Sequence, residues 1–571
     1  MFSHSFSVFL KKILGMIDIN DSRFSKILGE GNKPSKAQLD IVDFVAHKIG
    51  NATVQSRAGS GKSKTIELAV SFVPSKKRVL VVSYNRHIAR NLKEKFGDLP
   101  NVDVLTYHGL GLKILGTKFH RKFDEKNINE YKYKEYITQH IEELCQDCWK
   151  SLNGVERCCY KKNIEKLVEY ARYNKAQSEK EIATVAGKYG IAPVCNEIES
   201  VRKILKWGSS NLETIDYTDM VWLPYELLIT ANMPNLQYDM IFIDEAQDSS
   251  LIQQNLINIC KKRNTRFIAF GDAKQCINAW CGSDEHAFAN FGKQANTTTF
   301  HLNVSFRCSK SVVELVQKLV PDFEEAPNAK EGSVQHNATL KNVENGDLIL
   351  CRRTSPLVKL HMQLLKQGKP SRINGLELSK EISGTIRDTG KENINEAIDV
   401  LYGRLFKIWE GLKEEYSCSL KEVVTEDSII NLYDEIQSII AVSEGLTKSS
   451  DVIQRLGEIF INDSSQYGGG AIKDIIDETH IHLSTVHRAK GLEANNVYII
   501  CPSLMPSKLA KSDWEIEAED NLIYVAWSRA KDNLYFVDEK EVPTERSFSG
   551  TNELYNELIE LKNKYDAQHK G

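Results

Sequence analysis

The chain of 571 residues has no apolar run long enough to cross a membrane. Its amphipathic start, residues 6–17, is interrupted by two lysines and is followed by no clear small-residue cleavage site. Neither sign of charge is in excess, since 74 Lys and Arg stand against 77 Asp and Glu. These absences disfavour a membrane protein, a secreted precursor and a protein that attracts polyanions over its whole surface. We expect a protein of the cytoplasm, nucleoid or nucleus that is not secreted.

The twelve cysteines show no spacing that is typical of a disulfide framework, which predicts reduced thiols in a reducing compartment. Four of them cluster as Cys145, Cys148, Cys158 and Cys159. The first two form a CxxC pair, but an adjacent pair follows where structural zinc sites usually have a second spaced pair. The pattern favours reduced cysteines packed on helices, with a zinc site as the alternative.

The length predicts three to five domains or subdomains, and no tandem repeat is present. Strand and helix patterns alternate in two parts of the chain, and each part is interrupted by a mainly helical stretch. The predicted organisation is an N-terminal extension (1–35), a first α/β domain (36–115 and 225–305) with a helical insert (116–224), a second α/β domain (306–375 and 476–545) with a helical insert (376–475), and a tail (546–571).

A glycine-containing loop, Ser56-Arg-Ala-Gly-Ser-Gly-Lys-Ser63, follows an apolar segment and precedes a helix predicted over Thr65–Val73. Backbone N–H groups of such a loop curl around phosphate oxygens, and the dipole of the following helix favours the bound anion. Lys62 would contact the β- and γ-phosphates and Ser63 would bind magnesium, although Ser56 stands where the usual pattern has its first glycine. The predicted nucleotide-binding residues are Ala58, Gly59, Ser60, Gly61, Lys62, Ser63 and Lys64.

Two carboxylates, Asp244 and Glu245, follow the apolar strand predicted at Met240–Ile243. Open α/β sheets bind their ligands at the carboxyl ends of strands. Asp244 would hold magnesium and Glu245 would polarise the attacking water, which together with the phosphate loop is the minimal equipment for hydrolysing a nucleoside triphosphate. Gln275 follows another predicted strand, Phe267–Phe270, and would sense the γ-phosphate.

These segments occur in an order that resembles superfamily one DNA helicases of the UvrD/Rep/PcrA type. The sequences around residues 84–89 and 520–531 are also similar to those of the F-box helicases and their viral relatives. The matching segments are Gln38 (Q motif), Ala58–Ser63 (motif I), Ser83–Arg86 (Ia), Thr106–Gly109 (Ib), Ile215–Met220 (end of the first insert), Asp244–Asp248 (II), Gly271–Trp280 (III), Ser305–Arg307 (IV), Ser484–Glu493 (V) and Glu519–Ala530 (VI).

The resemblance implies an α/β fold of two RecA-like parallel-sheet domains, with ATP and Mg²⁺ used between them. It implies that Gln38 reads adenine, Phe306 stacks on the base and Glu493 holds the ribose. Arg307 and Arg529 would act as arginine fingers supplied in cis, because a planar guanidinium suits the charge that develops on a transferred phosphoryl group.

By the same resemblance, Tyr84 and Trp280 would stack on the bases of a single strand, although core packing is the ordinary alternative for an aromatic residue. The expected polar contacts to DNA are Asn85, Thr106, His108, Thr485 and His487. Motif III ends in Ala279-Trp280, the form similar to the 3′-to-5′ branch, with Cys281 where the family usually has Arg.

The leading hypothesis is therefore an ATP-dependent 3′-to-5′ DNA helicase that acts on single-stranded and 3′-tailed duplex DNA in replication, repair or recombination. We expect a monomer that meets accessory proteins through its second insert. One alternative is a translocase that strips proteins from DNA without efficient unwinding. Another is a nucleotide-switch or scaffold protein without motor activity, which the presence of Glu245, Arg307 and Arg529 disfavours.

Overall fold

The computed structural model describes residues 17–569 except 85, 98, 124, 153, 228–232, 278–286, 416–418, 462–475, 509, 511–512, 539 and 543–549. The predicted DNA contacts Asn85 and Trp280 lie outside the described residues, as does almost all of the amphipathic start. The chain divides into two compact units, residues 1–303 and 304–571.

A parallel sheet of six strands, ordered β3-β2-β4-β5-β1-β6, forms the centre of the first unit. Alternate residues of β2 enter different cores, because Leu80 and Val82 pack on one face of the sheet and Val79 and Val81 on the other. A parallel sheet covered on both faces explains the nearly continuous apolar runs of its strands. The strands are Asn51–Ser56 (β1), Val79–Ser83 (β2), Val102–Thr106 (β3), Tyr238–Ile243 (β4), Lys261–Gly271 (β5) and Thr297–Leu302 (β6).

Helices cover this sheet, and between β3 and β4 the described chain is helical and contains no sheet strand. Helices of this insert share one continuous core with a face of the sheet, through buried residues such as Trp222, Leu223 and Ile243. The helices of the unit are Ser22–Leu28 (α1), Lys36–His47 (α2), Lys62–Ser71 (α3), Arg86–Phe96 (α4), Tyr107–Phe119 (α5), Lys132–Cys145 (α6), Cys148–Ser151 (α7), Gly154–Tyr173 (α8), Glu179–Lys188 (α9), Glu197–Ser210 (α10), Tyr217–Glu226 (α11), Leu251–Ile259 (α12) and Ala287–Gly292 (α13).

The second unit is built on a seven-stranded parallel sheet ordered β12-β11-β13-β10-β14-β15-β9, beside the short pair β7-β8. Its strands are Val304–Ser305 (β7), Glu324–Glu325 (β8), Ser333–Ala338 (β9), Leu348–Cys351 (β10), Ser371–Asn374 (β11), Phe460–Ile461 (β12), Ile481–Thr485 (β13), Ala494–Ile499 (β14) and Ala530–Val537 (β15). Its helices are Lys310–Gln317 (α14), Thr354–Lys366 (α15), Leu376–Arg387 (α16), Ile394–Glu415 (α17), Leu420–Val423 (α18), Asp427–Ser443 (α19), Ser449–Ile459 (α20), Asp513–Trp527 (α21) and Thr551–His569 (α22).

The predicted fold class, two parallel-sheet RecA-like domains with helical additions, is confirmed. Boundaries differ where local geometry decides them. The helix after the phosphate loop begins at Lys62 rather than Thr65, because Gly61 adopts the left-handed conformation as its N-cap. The strand predicted at Phe267–Phe270 extends over Lys261–Gly271.

The expectation that all cysteines are reduced is wrong for one pair, since Cys148 and Cys195 form a disulfide in the first insert. Tertiary packing decides this pairing, because the two cysteines are 47 positions apart and no local sequence spacing predicts a disulfide between them. Cys145, the other half of the CxxC pair, is a buried free thiol. Among the described residues, no group of three or more His, Cys, Asp and Glu side chains could hold a metal ion.

None of the helices in the described part of the chain is both long enough and apolar enough to cross a membrane.

Candidate active site

Three neighbouring strands at the centre of the first sheet deliver the polar residues of the candidate site. β4, β5 and β1 are adjacent, and all pair in parallel. The phosphate loop follows β1, Asp244 and Glu245 follow β4, and Asp272 follows β5. Because carboxyl ends of parallel strands meet at one edge of a sheet, these three loops converge.

The phosphate loop has the backbone conformation that its glycines allow. Gly59 and Gly61 have φ values of 71° and 80°, in the region that residues with a side chain rarely adopt. Gly61 is the N-cap of α3, and no side chain caps that helix end. The first N–H groups of α3 therefore remain available to an anion, and the helix dipole adds to its attraction. Ser60, inside the loop, is buried and its hydroxyl has no hydrogen-bond partner in the described structure.

Lys62 joins the phosphate loop to the two carboxylates after β4. Its ammonium lies 3.0 Å from Asp244 Oδ1 and also forms an ion pair with Glu245. Burial alone would lower the pKa of Lys62, but the charges of Asp244 and Glu245 outweigh it and raise the pKa above its usual value. The lysine is therefore a permanent cation at the position where phosphate charge is expected.

Asp244 has the properties of a side chain that can bind a cation. Its Oδ1 accepts the backbone N–H of Glu245, whereas its Oδ2 is buried without a hydrogen-bond partner in the described structure. Burial, reinforced by the charge of Glu245, raises the pKa of Asp244 in spite of Lys62. A buried carboxylate oxygen without a donor is costly unless a ligand satisfies it. Hard oxygen donors such as this one and the hydroxyl of Ser63 fit Mg²⁺.

Glu245 stands in a strained conformation directly after its strand, with φ 50°. Non-glycine residues in this region cluster at functional sites, because the surrounding structure must hold them there. The amide of Gln247 donates to Glu245 Oε2 over 2.6 Å, and the carbonyl oxygen of the same amide accepts the backbone N–H of Asp272 over 3.1 Å. Gln247 thus connects the loop after β4 with the loop after β5.

The carboxylate of Asp272 accepts hydrogen bonds from residues of two loops and of strand β1. Its Oδ1 accepts from Arg57 over 2.8 Å and from Gln55 over 3.2 Å, and its Oδ2 accepts from Gln275 over 2.8 Å. Gln275, predicted to sense the γ-phosphate, is held by this carboxylate. Gln247, Asp272 and Arg57 were not predicted as site residues. The first two lie inside the matched motifs, so their position was the available signal, whereas Arg57 needs the sheet order to bring it to Asp272.

Gln38, predicted to read adenine, lies against the phosphate-loop helix. It is 4% exposed, its oxygen accepts the backbone N–H of Ser35, and its amide donates to Thr65 Oγ1 over 3.1 Å. It also forms the capping box of α2 with Ser35. The ammonium of Lys64, which stays a predicted nucleotide contact, donates to the carbonyl of Ile27 in α1.

In the second unit, the predicted arginines and Glu493 form one cluster. Arg307 Nε lies 2.6 Å from Glu493 Oε2, and Lys531 Nζ lies 3.0 Å from the other oxygen of Glu493. Despite its burial, Glu493 has a lowered pKa because these two cations favour its charged form. Phe306, next to Arg307, is 57% exposed, which leaves its ring accessible for stacking.

Arg529 is buried directly before β15, and backbone carbonyls hold its guanidinium. It donates to the carbonyls of Val525 and Leu492 and to the hydroxyl of Ser528. Burial and the nearby charge of Arg307 lower the pKa of Arg529 to about 9. The charge of Glu493 offsets this effect only in part, so the two neighbouring guanidinium groups favour a further negatively charged ligand.

The predicted DNA contacts that the structure describes lie at strand ends. Thr106 ends β3 and caps α5 by accepting the N–H of Gly109 over 3.1 Å. His108 is the second residue of α5, and its ring centre lies 6.3 Å from that of Tyr217. Tyr84 follows β2 and packs partly against the first core.

Thr485 ends β13 in the second unit, and His487 follows it. Burial lowers the pKa of His487 to about 3, and the charges of Arg352, Arg353 and Arg488 add to this effect. His487 is therefore a neutral hydrogen-bonding group at physiological pH.

Comparisons with known families agree with this geometry. The family model for the UvrD/REP helicase N-terminal domain matches residues 37–296, and the model for the UvrD-like helicase C-terminal domain matches residues 480–537. The first match covers the strands and loops that build the candidate site, and the second covers β13, β14 and β15.

Similar proteins carry helicase names. The chain is 21% identical to the probable DNA helicase II homolog of Mycoplasma capricolum, over 84% of this chain and 81% of that protein. It is 20% identical to the ATP-dependent DNA helicase PcrA of Staphylococcus aureus, over 85% of this chain and 81% of that protein. It is 25% identical to F-box DNA helicase protein 1 of Schizosaccharomyces pombe, over 58% of this chain and 38% of that protein. With its two matched domains, its motifs and its parallel sheets, the chain belongs to the UvrD/Rep family of DNA helicases.

Proposed function

We propose that this protein is an ATP-dependent DNA helicase that moves 3′ to 5′ along single-stranded DNA. The observation that carries the proposal is the pairing of Lys62, after β1, with both Asp244 and Glu245, after β4, at one edge of the sheet. This arrangement brings the phosphate-binding cation to the carboxylates that hydrolysis requires. The 3′-to-5′ direction is supported by the form of motif III alone.

ATP binding would redistribute the charges of this site. The triphosphate competes with Asp244 and Glu245 for the ammonium of Lys62, and the open N-terminus of α3 receives phosphate oxygens. Once Lys62 turns to the phosphates, Glu245 is released to accept a proton from water, while Gln247 continues to orient it. The ion pair therefore keeps Glu245 occupied until a nucleotide arrives.

Ser63 and Asp244 would hold the magnesium ion, whose chemistry is to neutralise charge on the β- and γ-phosphates. The orphaned Oδ2 of Asp244 supports this assignment. Arg307 and Arg529 are proposed as the arginine fingers, and the lowered pKa of Arg529, caused by its burial and by the charge of Arg307, supports that role. Phe306 is proposed to stack on the base because its ring is exposed.

A Glu245→Gln variant tests the catalytic assignment. The amide keeps the shape of the side chain but cannot accept a proton, so kcat should fall by roughly 10²- to 10⁴-fold. ATP-dependent binding of single-stranded DNA should persist, because no phosphate contact is removed. Persistence of DNA-stimulated hydrolysis in this variant would contradict the role of Glu245.

The activity itself is tested by measuring ATP hydrolysis with and without single-stranded DNA, and unwinding of duplexes with a 3′ or a 5′ tail. Stimulation by DNA together with unwinding from the 3′ tail alone is the expected result. Stimulation without unwinding would favour a translocase that strips proteins from DNA. Hydrolysis that is indifferent to DNA would favour a nucleotide switch instead.

A further inference from the structure

The short helix α1, which precedes the Q motif, is tied to the phosphate-loop helix α3 at both ends. Arg23, in the first turn of α1, donates to the carbonyl of Ser71 at the end of α3 over 3.0 Å. Lys64, in the first turn of α3, donates to the carbonyl of Ile27 in the last turn of α1. The two helices therefore run antiparallel, and each supplies a cation to the carbonyl end of the other.

Both cations lie where a helix favours them. The last carbonyls of a helix have no intrahelical partner and carry the negative end of the helix dipole. Between these two hydrogen bonds, Phe24 and Ile27 are buried against Leu68 of α3 and Phe72, the residue after α3, and the rings of Phe24 and Phe72 lie 5.3 Å apart. The contact is thus an apolar seam closed at each end by a charged hydrogen bond.

Arg23 is itself held in place. Its Nε and Nη2 donate to the two carboxylate oxygens of Asp21 over 2.9 and 2.7 Å, which leaves Nη1 for Ser71. Its guanidinium also lies 3.5 Å from the centre of the Phe72 ring. A lysine cannot reproduce a two-oxygen fork, a ring contact and a third donor at once.

Helix α3 is the element whose position matters to the nucleotide. Its N-terminus is the predicted phosphate cradle, and Lys62 lies two residues before Lys64. Gln38 fixes the same first turn from α2 through Thr65. Productive contacts in an active site tolerate errors of about half an ångström, so the supports of α3 bear directly on phosphate binding.

We propose that Arg23 and Lys64 are positioning residues for ATP, and that α1 acts as a brace which sets the orientation of the phosphate-loop helix. The inference rests on the proposed ATP hydrolysis and adds to it. Arg23 touches α3 at the end away from the phosphate loop, so its influence on ATP can act only through the helix. Lys64 has its ammonium on α1 and not in the loop.

The test compares Arg23→Ala, Arg23→Lys and Lys64→Ala with Lys26→Ala, an exposed lysine on the same helix. Steady-state ATP hydrolysis with saturating single-stranded DNA gives KM and kcat separately. A fluorescent ATP analogue gives the affinity without turnover, and thermal unfolding shows that each variant is folded at the assay temperature. We expect Arg23→Ala and Lys64→Ala each to raise KM and Kd by about threefold to tenfold, with kcat within about twofold of the parent.

Arg23→Lys should behave like Arg23→Ala, and Lys26→Ala like the parent. An increase in KM for Lys64→Ala alone would assign Lys64 to the nucleotide itself and overturn the brace. Unchanged KM and Kd in both alanine variants, with a lower unfolding temperature, would reduce α1 to a structural role and also overturn it. Absence of ATP hydrolysis in the parent protein would refute the proposed function. The brace is tested separately, because the Kd of the ATP analogue is measured on the same variants without turnover.

Discussion

Gln247 donates its amide N–H to Oε2 of Glu245 over 2.6 Å, in the loop after the fourth strand of the first sheet. The other end of the same amide accepts the backbone N–H of Asp272, in the loop after the neighbouring strand. Because an amide has a donor and an acceptor at fixed positions, Gln247 sets the distance between the two loops and the direction of the Glu245 carboxylate. It also explains Gly271, where an added Cβ would lie 2.6 Å from Gln247 Oε1.

Replacing Gln247 by Ala should lower kcat for DNA-stimulated ATP hydrolysis by roughly ten- to hundredfold, the range found when a support of an active-site ligand is removed. The KM for ATP should change less, since the described hydrogen bonds of the Gln247 side chain go to Glu245, Asp248 and Asp272 and not to the phosphate loop. Steady-state kinetics measures both. Gln254→Ala is the matched control, because that amide donates to the backbone carbonyl of Ser249. Equal effects of the two substitutions would contradict an orienting role for Gln247.

Gly61→Ala should weaken both ATP binding and stability. Its Cβ would lie 3.6 Å from the amide of Gln38, an ordinary contact, so space is not the obstacle. The cost comes from the left-handed backbone with φ 80°, roughly 1–2 kcal/mol for a residue with a side chain. Thermal unfolding and a binding titration with an ATP analogue measure the two effects.

Gly187→Ala provides the opposite control for that substitution. Gly187 lies in a helix without positive φ and with open space around its Cα. Alanine there should raise stability by about 0.5–1 kcal/mol. A Gly61→Ala variant that matched Gly187→Ala in stability would show that the loop does not keep its left-handed residue.

The disulfide between Cys148 and Cys195 should stabilise the first insert under oxidising conditions. It closes a loop with a sequence separation of 47, for which chain entropy gives a stabilisation of roughly 2–4 kcal/mol. Reductant should lower the unfolding temperature of the parent protein, and Cys148→Ser should lower it to the same value. Reductant should then leave the variant unchanged. The disulfide would be ruled out if reductant left the unfolding temperature of the parent protein unchanged and mass spectrometry showed free thiols at both positions.

Stability should fall as the pH drops below about 6.5, in part through His361. Burial lowers the pKa of this histidine to about 4, and its ring is hydrogen-bonded to Ser371 over 2.8 Å. His361 therefore binds a proton below about pH 6.5 in the unfolded chain, but only near pH 4 in the folded chain. Its contribution to the free energy of unfolding is complete above about pH 6.5 and declines as the pH falls toward 4.

Between pH 7.5 and pH 5 the loss from this one group should be about 2 kcal/mol. Unfolding of the parent and of His361→Gln at both pH values measures it. The variant should lose less stability on acidification than the parent, although His487, whose pKa is also lowered, keeps part of the effect. An identical acid loss in the variant would mean that His361 titrates normally in the folded protein.

Much of the fold followed from local patterns. The buried strands were predictable because parallel strands covered on both faces are nearly continuous apolar runs, as in Val79–Ser83. The convergence of Lys62, Asp244 and Glu245 was predictable because all three follow parallel strands, while their catalytic and binding roles stay predictions. The start of α3 was misplaced by three residues, since the conformation of Gly61 decides it and composition does not.

The sequence by itself determined which residues have the chemistry to bind phosphate, hold a cation and activate water, because side-chain type and position after a strand are local properties. Only the tertiary structure decided which of them meet. Arg57 reaches Asp272 because β1 and β5 are neighbours, and Cys148 reaches Cys195 across 47 positions. Lys64, next in sequence to the phosphate-loop residues, donates to the carbonyl of Ile27 because α1 packs beside α3. Such contacts depend on the order of strands and the packing of helices, which no local stretch of the chain encodes.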